Sequence, residues 1–397
     1  MLIHLHTSAV ADAASESATA GRSHAAVENL LIAHFEGNHV VSLLPDDAET
    51  LRATPLQWSK RAARALEHID ESYPQIAGLR ADIPWSMELG LGASFPSPGA
   101  MDGDGEMPAG QGGSGEITSL PGAHCILRAN LHAFERTRTA SRAALLGENA
   151  TDADLFQQLG YLRRSDRFWE GVEMVHDARG AGGSTFAPEY ERLAATGHIL
   201  LAIADTDMRH PKDGGGGTYH KLRVMAQRRP DYQRARPLPV RTAEGLIPLT
   251  VYKDAITALH GDQDQRLNVI ARLEPLLRSA PADILRYAHF KDGVRLHQVE
   301  NPKTKEEGAY WSQIARNAGR DHCTRPSTER CSKKEECKCY VVDALGDKAL
   351  SDVVTWMKTR KSKRQLAKDF HFSERPELRD LADEVLAWGL ALPPLLT

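Results

Sequence analysis

The segment HILLAIADTDMRHPKDGGGGTYHKL, residues 198–222, decides how this chain is interpreted. Its apolar run ILLAI, residues 199–203, has no polar alternation, which is typical of a central parallel strand covered on both faces. Asp205 and Asp207 follow this run directly, and four consecutive glycines come after them. In open parallel sheets, ligands bind beyond the carboxyl ends of the strands. The segment therefore predicts a polar site at a strand end.

The two aspartates of this segment suit a cation. Side chains two positions apart on extended backbone point the same way, so both carboxylates can face one ion. Hard cations such as Mg²⁺ prefer oxygen ligands, and a glycine loop lets backbone approach a phosphate closely. A structural alternative stays open, since Asp205 can start a turn, Asp207 can cap the next element and glycine runs also form plain linkers.

Length and composition indicate a globular protein. The 397 residues are enough for roughly two to three domains, and 41% of them are hydrophobic and 26% charged. No apolar run approaches the ~18 residues that a membrane helix needs. The first residues lack the basic region and the long apolar segment of a secretory signal. We therefore expect a cytoplasmic protein that makes no membrane contact.

Charge points to a partner only locally. With 49 basic and 53 acidic residues the net charge is −4, so the whole chain is not basic enough to indicate nucleic acid. Two basic stretches can contact phosphate or can be solvated faces. These stretches are Lys221, Arg223, Arg228, Arg229, Arg234, Arg236 and Arg241, and Lys358, Arg360, Lys361, Lys363, Arg364 and Lys368.

The order of elements predicts an α/β fold. A strand over 2–7, a helix over 23–35 and a strand over 39–44 form a β-α-β opening, which favours a parallel sheet. After the strand at 199–203, a further strand is expected over 235–248. Helices are expected over 58–69, about 130–146, 165–177, 250–259, 265–277, 350–359 and 376–390.

These elements predict a split core. We expect residues 1–44 and 195–300 to build one mostly parallel sheet flanked by helices, with 45–194 inserted between them as a helical block. The insertion carries a low-complexity loop near 95–118, which has too few large apolar groups to pack and is expected to be disordered. Residues 301–397 form a C-terminal region.

A β-α-β unit that carries a glutamate, followed later by a strand ending in D-x-D, resembles the TOPRIM fold of topoisomerases, primases and OLD-type nucleases. In that family an acidic residue near the first strand and the D-x-D pair bind Mg²⁺ for phosphodiester chemistry. The resemblance implies that Asp205 and Asp207 are catalytic metal ligands. It implies Glu28, or else Glu16, as their acidic partner, although the family's glutamate-glycine pair after the first strand is absent here.

The chain also resembles TOPRIM-like proteins of bacterial antiphage defence systems, which carry a glutamate segment ending in Leu-Ile-Pro and a downstream Lys-x-Gly. The matching segments are VRTAEGLIP, with Glu244, and YAHFKDG, with Lys291 and Gly293. The resemblance implies that Glu244 completes the catalytic site and that Lys291 steadies phosphate charge. Glu244 can instead cap a helix that begins after Pro248, and Lys291 can be a solvated residue of a turn.

A cysteine cluster predicts a second metal. Clustered cysteines in a cytoplasmic chain indicate metal before disulfides, and four thiolates suit a closed structural zinc site. The cluster consists of Cys323, Cys331, Cys337 and Cys339. His322 can replace one thiolate, whereas Cys125 stands alone and is expected to be a small buried apolar residue.

Two classes of function follow. The first is a TOPRIM-like nuclease, or nuclease-like effector, that uses Mg²⁺ or Mn²⁺ to hydrolyse nucleic-acid phosphodiesters in antiphage defence together with another protein subunit. The second is a non-catalytic sensor or nucleic-acid-binding subunit in which the zinc knuckle makes the contact. A phosphatase of the haloacid dehalogenase type is disfavoured, because Arg209 stands where that pattern needs threonine or valine.

Overall fold

The computed structural model describes residues 1–15, 20–92, 95, 124–167, 169, 171–227, 229–279, 283–322, 339–360 and 362–396. Glu16 and nearly all of the low-complexity loop lie outside these residues. The chain divides into two compact units, of which unit 1 comprises Met1–Ile203, Lys221–Arg236 and Arg379–Thr397 and unit 2 comprises Ala204–His220 and Pro237–Leu378.

The described residues contain short strands and many helices. The strands are β1 (Leu2–Leu5), β2 (Val40–Ser42), β3 (Trp85–Gly90), β4 (Cys125–Asn130), β5 (Ala144–Gly147), β6 (Glu173–Met174), β7 (Asp177–Gly180), β8 (Leu200–Ala204), β9 (Gln233–Pro237), β10 (Val294–Arg295), β11 (Tyr340–Val342) and β12 (Leu390–Ala391). The α-helices are α1 (Thr7–Ala13), α2 (Ala20–Phe35), α3 (Pro45–Ala53), α4 (Lys60–Glu71), α5 (Tyr73–Asp82), α6 (Ala150–Asp166), α7 (Phe186–Ala195), α8 (Gly217–Ala226), α9 (Leu249–His260), α10 (Gln265–Ser279), α11 (Asp283–Tyr287), α12 (Leu296–Glu300), α13 (Lys305–Asn317), α14 (Ala349–Thr359), α15 (Lys363–Asp369) and α16 (Pro376–Trp388). Short 3₁₀ turns cover Leu131–Glu135, Gly183–Thr185 and Ala243–Leu246.

Two four-stranded sheets organise the first part of the chain. One has the strand order β2-β1-β3-β4, and its neighbouring strands are parallel, with Ile3 opposite both Val41 and Met87. The other has the order β7-β5-β8-β9, with β5 parallel to both β7 and β8. Helices flank these sheets, so the predicted α/β class with parallel sheets is confirmed.

The arrangement of the strands differs from the expected split core. β1 and β8 belong to different sheets, whereas the sequence predicts them in one. The block over 45–194 is not purely helical, since it contributes β3 to β7. The helix expected over about 130–146 is a 3₁₀ turn followed by β5. Apolar runs of four to six residues do not separate a buried strand from a piece of helix by periodicity, which explains the difference.

Most of the longer predicted helices are confirmed. Those expected over 23–35, 58–69, 250–259, 265–277, 350–359 and 376–390 are α2, α4, α9, α10, α14 and α16, with ends shifted by a few residues. Helix α4 shows the local reason: the Ser59 side chain accepts a hydrogen bond from the Ala62 amide, and Ala62, Ala65, Leu66 and Ile69 form its buried stripe. The described residues over 165–177 do not form the expected helix, since α6 ends at Asp166 and β6 begins at Glu173.

Unit 2 is largely helical. Its helices α9 and α14 pack on one another, as do α12 and α13. Strands β10 and β11 form an antiparallel pair, with Val294 opposite Val342. None of the helices in the described parts of the chain combines the length and the apolar character needed to cross a bilayer.

Candidate functional site

The site begins where β8 ends. The strand's residues are fully buried, and its last carbonyl, on Ala204, accepts a hydrogen bond from the Leu238 amide at 2.9 Å. Beyond it, the Thr206 hydroxyl donates to the Val240 carbonyl (2.9 Å), and the Asp207 amide donates to the Arg241 carbonyl (3.1 Å). The aspartate segment is therefore fixed against residues 240–241 in unit 2.

Asp207 has an unusual backbone. Its φ of 55° lies in the left-handed region, which aspartate tolerates better than most residues but which costs energy. Regular strand geometry ends at Ala204. Alternation along a strand therefore does not set the directions of the Asp205 and Asp207 side chains. That both carboxylates face one cation stays a prediction.

The glycine run closes the loop onto Asp207. The Gly216 amide donates to the Thr206 carbonyl at 2.8 Å. A Cβ at Gly216 would lie 2.5 Å from Asp207 Oδ2, and Gly215 combines a φ of +92° with a close approach to the Thr206 carbonyl. Glycine is thus required by the fold at these two positions. The phosphate contact expected from this run stays a prediction.

Asp213 holds the same loop together. Its carboxylate accepts hydrogen bonds from the amides of Arg209 (2.9 Å) and Gly215 (3.3 Å). Burial by itself would raise the pKa of Asp213, but these two hydrogen bonds lower it below its ordinary value. The Arg209 carbonyl in turn accepts a hydrogen bond from the Trp311 indole at 3.0 Å. The loop is therefore a compact structure rather than a plain linker.

Arg241 places a cation beside Asp207. Its amide donates to the Arg286 carbonyl (2.6 Å), and its Nη1 donates to the Tyr287 carbonyl (3.4 Å). Its Nε is buried and has no hydrogen-bond partner in the described part of the chain. Burial, and next the charge of Arg209, lower the pKa of Arg241, while Asp207 is the largest opposing influence. A half-buried guanidinium with an unused donor is suited to an anion.

His289 lies within electrostatic range of the same charges. Burial is the main cause that lowers the pKa of His289, followed by Arg241, while Asp292, Glu244 and Asp207 oppose it. Its Nδ1 accepts a hydrogen bond from the Asp292 amide at 3.1 Å. The neutral ring therefore carries its proton on Nε2.

Lys291 and Glu244 complete the group. The Lys291 ammonium lies 3.2 Å from Asp347, and this hydrogen bond is the main cause that raises the pKa of Lys291, with a smaller contribution from Glu244. Glu244 does not cap α9, because the residue before that helix is Pro248 and no side chain caps it. The alternative role of Glu244 as a helix cap is thus wrong.

Three of the five predicted catalytic residues, Asp207, Glu244 and Lys291, therefore share one neighbourhood in unit 2. Asp207 and Glu244 each act on His289, and Glu244 acts on Lys291. Asp205 lies two residues before Asp207 on the same segment. His289 went unnoticed in the sequence, although it stands two positions before Lys291 in YAHFKDG.

Glu28 has a different environment. It belongs to α2 of unit 1, and its Oε1 accepts a hydrogen bond from the amide of Ser59, the residue that caps α4. A carboxylate there satisfies an amide at a helix start, which gives Glu28 a structural role. Its role as a metal ligand stays a prediction, and Glu16 lies outside the described residues.

The described residues contain no group of three or more His, Cys, Asp or Glu side chains that could hold a metal ion. A cage of three carboxylates is therefore not assembled among them. Mg²⁺, however, is commonly held by one or two carboxylates together with substrate phosphates and water. Metal binding by the D-x-D segment stays a prediction.

The arginines of the first basic stretch have different surroundings. Arg234 and Arg236 both pair with Glu384 in unit 1, the former at 2.7 Å. Arg241 belongs to unit 2 and lies by Asp207. Arg228 and, in the second stretch, Lys361 lie outside the described residues.

Three of the four cysteines of the predicted zinc site lie outside the described residues. Cys323, Cys331 and Cys337 are not among the described residues, and Cys339 immediately precedes β11. His322 is exposed, and its Nδ1 lies 3.2 Å from Asp321. Cys125 begins β4 and is half-buried rather than fully buried, and burial raises the pKa of its thiol.

Comparison with protein-family models gave no match, and comparisons with curated proteins and with solved structures gave none either.

Proposed function

We propose that this chain is a metal-dependent phosphodiesterase of the TOPRIM-like type that hydrolyses nucleic acid. The observation that supports the proposal is the charge group of unit 2, in which Asp207 and Glu244 lie within electrostatic range of His289 while the buried Nε of Arg241 keeps an unused donor. Neither carboxylate forms an ion pair with another described residue. Such charges, left unneutralised near one another, are characteristic of ligand sites.

Asp205 and Asp207 would hold Mg²⁺ or Mn²⁺, and Glu244 would contribute a further negative charge near His289. A bound ion of this kind activates water and stabilises the leaving oxygen of an in-line displacement.

The chain's own cations would position the phosphate. Arg241 offers a buried Nε–H, Arg209 lies close enough to lower the pKa of Arg241, and Lys291 carries a raised pKa that keeps it charged. Repulsion between Arg209 and Arg241 is relieved when an anion binds between cations. Binding of a phosphate diester would therefore offset the repulsion between the Arg209 and Arg241 guanidinium groups.

His289 would hold a proton near the scissile bond. Its Nδ1 is occupied by the Asp292 amide, so the Nε2–H remains available as a donor. Burial lowers the pKa of His289, and the ring is therefore neutral at physiological pH. We assign it the role of orienting, through this N–H, an oxygen of the phosphate group.

The direct experiment is a cleavage assay with the full chain on DNA and RNA, in Mg²⁺ or Mn²⁺ and in EDTA. We expect metal-dependent cleavage that is lost in the double variant Asp205→Ala/Asp207→Ala. A double variant as active as the unmodified chain would overturn the mechanism.

The biological setting in this proposal is bacterial antiphage defence, with a second protein subunit as partner. It is supported by the segments VRTAEGLIP and YAHFKDG, which resemble segments of TOPRIM-like proteins of antiphage defence systems. Neighbouring genes provide the test, because a defence operon agrees with this setting and a metabolic operon contradicts it.

A second candidate is a non-catalytic nucleic-acid-binding subunit whose zinc knuckle makes the contact. One observation favours it: the described residues do not bring three metal-ligating side chains together. Under this alternative, binding weakens steeply with salt, cleavage is absent and removal of zinc abolishes binding. Metal analysis that finds zinc, together with an inactive cleavage assay, would select it.

A further inference from the structure

Unit 1 contains a groove that the proposed chemistry does not use. It lies between α5 and the sheet β2-β1-β3-β4 and has a volume of about 420 Å³. Sites for small molecules commonly have roughly 300–1,000 Å³. The groove is therefore large enough for a ligand of modest size.

One side of the groove is apolar. Leu44 and Ile126 line it and are 41% and 46% exposed. Facing them, Ala77 and Ala81 lie one turn apart on α5 and leave the space open. This wall can cover the apolar or aromatic body of a ligand.

The other side of the groove carries positive charge. Arg80 lines it and forms no ion pair with another residue in the described part of the chain. Glu88 of the sheet forms an ion pair with Arg128 instead, at 3.4 Å between Oε2 and Nε. His124, which also lines the groove, is hydrogen-bonded through Nε2 to Ser86 at 2.8 Å. Arg80 is thus a cation without a carboxylate.

A buried histidine lies in the same layer of the sheet. His4 pairs in register with Ser42 and with Glu88, so these three side chains are on one face, and Ser42 lines the groove. His4 is only 6% exposed, and its Nδ1 has no hydrogen-bond partner among the described residues. A buried polar atom without a partner is rare and indicates a missing water or ligand.

We infer that this groove binds a small molecule that has an apolar or aromatic body and a single anionic group, with the anion at Arg80 and the body against Leu44 and Ile126. The inference does not rest on the proposed phosphodiesterase activity. A phosphate and a carboxylate share the chemistry that Arg80 recognises.

Isothermal titration calorimetry on the full chain tests the site with phenyl phosphate, benzoate and inorganic phosphate as probes. We expect saturable binding of phenyl phosphate or benzoate, and the tighter of the two identifies the anion. Inorganic phosphate should bind at least about tenfold more weakly than phenyl phosphate, because it lacks the apolar body. Equal affinity for inorganic phosphate would overturn the amphipathic ligand.

Two variants make the result specific. Arg80→Gln should weaken binding by about tenfold or more, since it removes a charge-assisted hydrogen bond. The matched control Arg64→Gln, at an exposed arginine of α4 that pairs with Glu67, should leave binding unchanged.

Ala77→Trp should block the groove from the helix side. Absence of saturable binding by the aromatic probes, or binding that survives both Arg80→Gln and Ala77→Trp in folded protein, would overturn the inference.

Discussion

Two groups of acidic residues, one in each unit, have opposite surroundings. In unit 1, Glu384 is fully buried and pairs with Arg234 and Arg236, and Asp383 pairs with Arg163 at 2.7 Å. In unit 2, Asp207 and Glu244 make no ion pair with a described residue, while Arg241 keeps a buried Nε without a partner. Charges that are fully paired serve the fold, and charges left unpaired beside one another are available to a ligand.

The arrangement in unit 2 costs stability. A buried hydrogen-bond donor without a partner, such as Arg241 Nε, destabilises a protein, and so does the left-handed backbone of Asp207. Unit 2 carries both at one strand end. Four predictions test whether stability and activity are separated in this way.

The largest effect is expected at Asp207. Asp207→Asn keeps the shape of the side chain and tolerates the left-handed backbone, but it removes the charge. We expect cleavage of nucleic acid to fall by about 10²–10³-fold, with an unchanged melting temperature. The control Asp262→Asn, at an exposed aspartate of the same unit, should retain full activity. A melting temperature that falls along with activity would assign Asp207 to the fold instead.

The converse effect is expected at Glu384. Glu384→Gln leaves Arg234 and Arg236 without their buried counter-charge, which should lower the free energy of unfolding by about 3 kcal/mol. Glu67→Gln, which breaks an exposed ion pair in the same unit, should cost less than about 1 kcal/mol. Urea unfolding measures both. Equal stability of the two variants would contradict the structural role given to the buried pairs.

Buried histidines should make unit 1 sensitive to acid. Burial, and next the neighbouring His68, lower the pKa of His34 to about 3 from 6.5. Below pH 6.5, His34 binds a proton in the unfolded chain but not in the folded chain. The free energy of unfolding therefore falls as the pH drops below 6.5. The loss amounts to about 2 kcal/mol at about pH 5 for His34 alone.

The variant His34→Asn should flatten this dependence, because asparagine does not titrate and can still accept the Val41 amide proton. Denaturant unfolding between about pH 7 and about pH 5 measures the slope. His322→Asn, at an exposed histidine, should leave the slope unchanged. An unaltered slope in His34→Asn would show that this ring already titrates normally.

The smallest effects separate the two glutamates. Glu244→Gln should reduce cleavage by about tenfold, since it removes one charge from the group around His289. Glu28→Gln should leave cleavage intact and cost about 0.5 kcal/mol of stability, because it weakens the hydrogen bond to Ser59. A large loss of activity in Glu28→Gln would restore it as the third acidic ligand.

Periodicity predicted the helices well, because α4, α9 and α16 show apolar stripes long enough to be unambiguous. Periodicity did not predict β3 to β5, because short apolar runs are compatible with either a strand or a helix. Which sheet a strand joins depends on pairing between distant residues, so the sequence did not show that β1 and β8 separate. The strand that ends just before Asp205 was predicted from the sequence, whereas the site roles of Glu244 and Lys291 stay predictions. The closeness of His289 depends on tertiary packing, which residue spacing does not show.

The most direct measurement of the central claim is the number of Mn²⁺ ions bound by the full chain, determined by electron paramagnetic resonance. The unmodified protein and Glu28→Gln should bind the same number of ions. Asp207→Asn should bind one ion fewer, or bind it at least about tenfold more weakly. Mn²⁺ binding that is unchanged in Asp207→Asn would contradict the account of unit 2 as a ligand site.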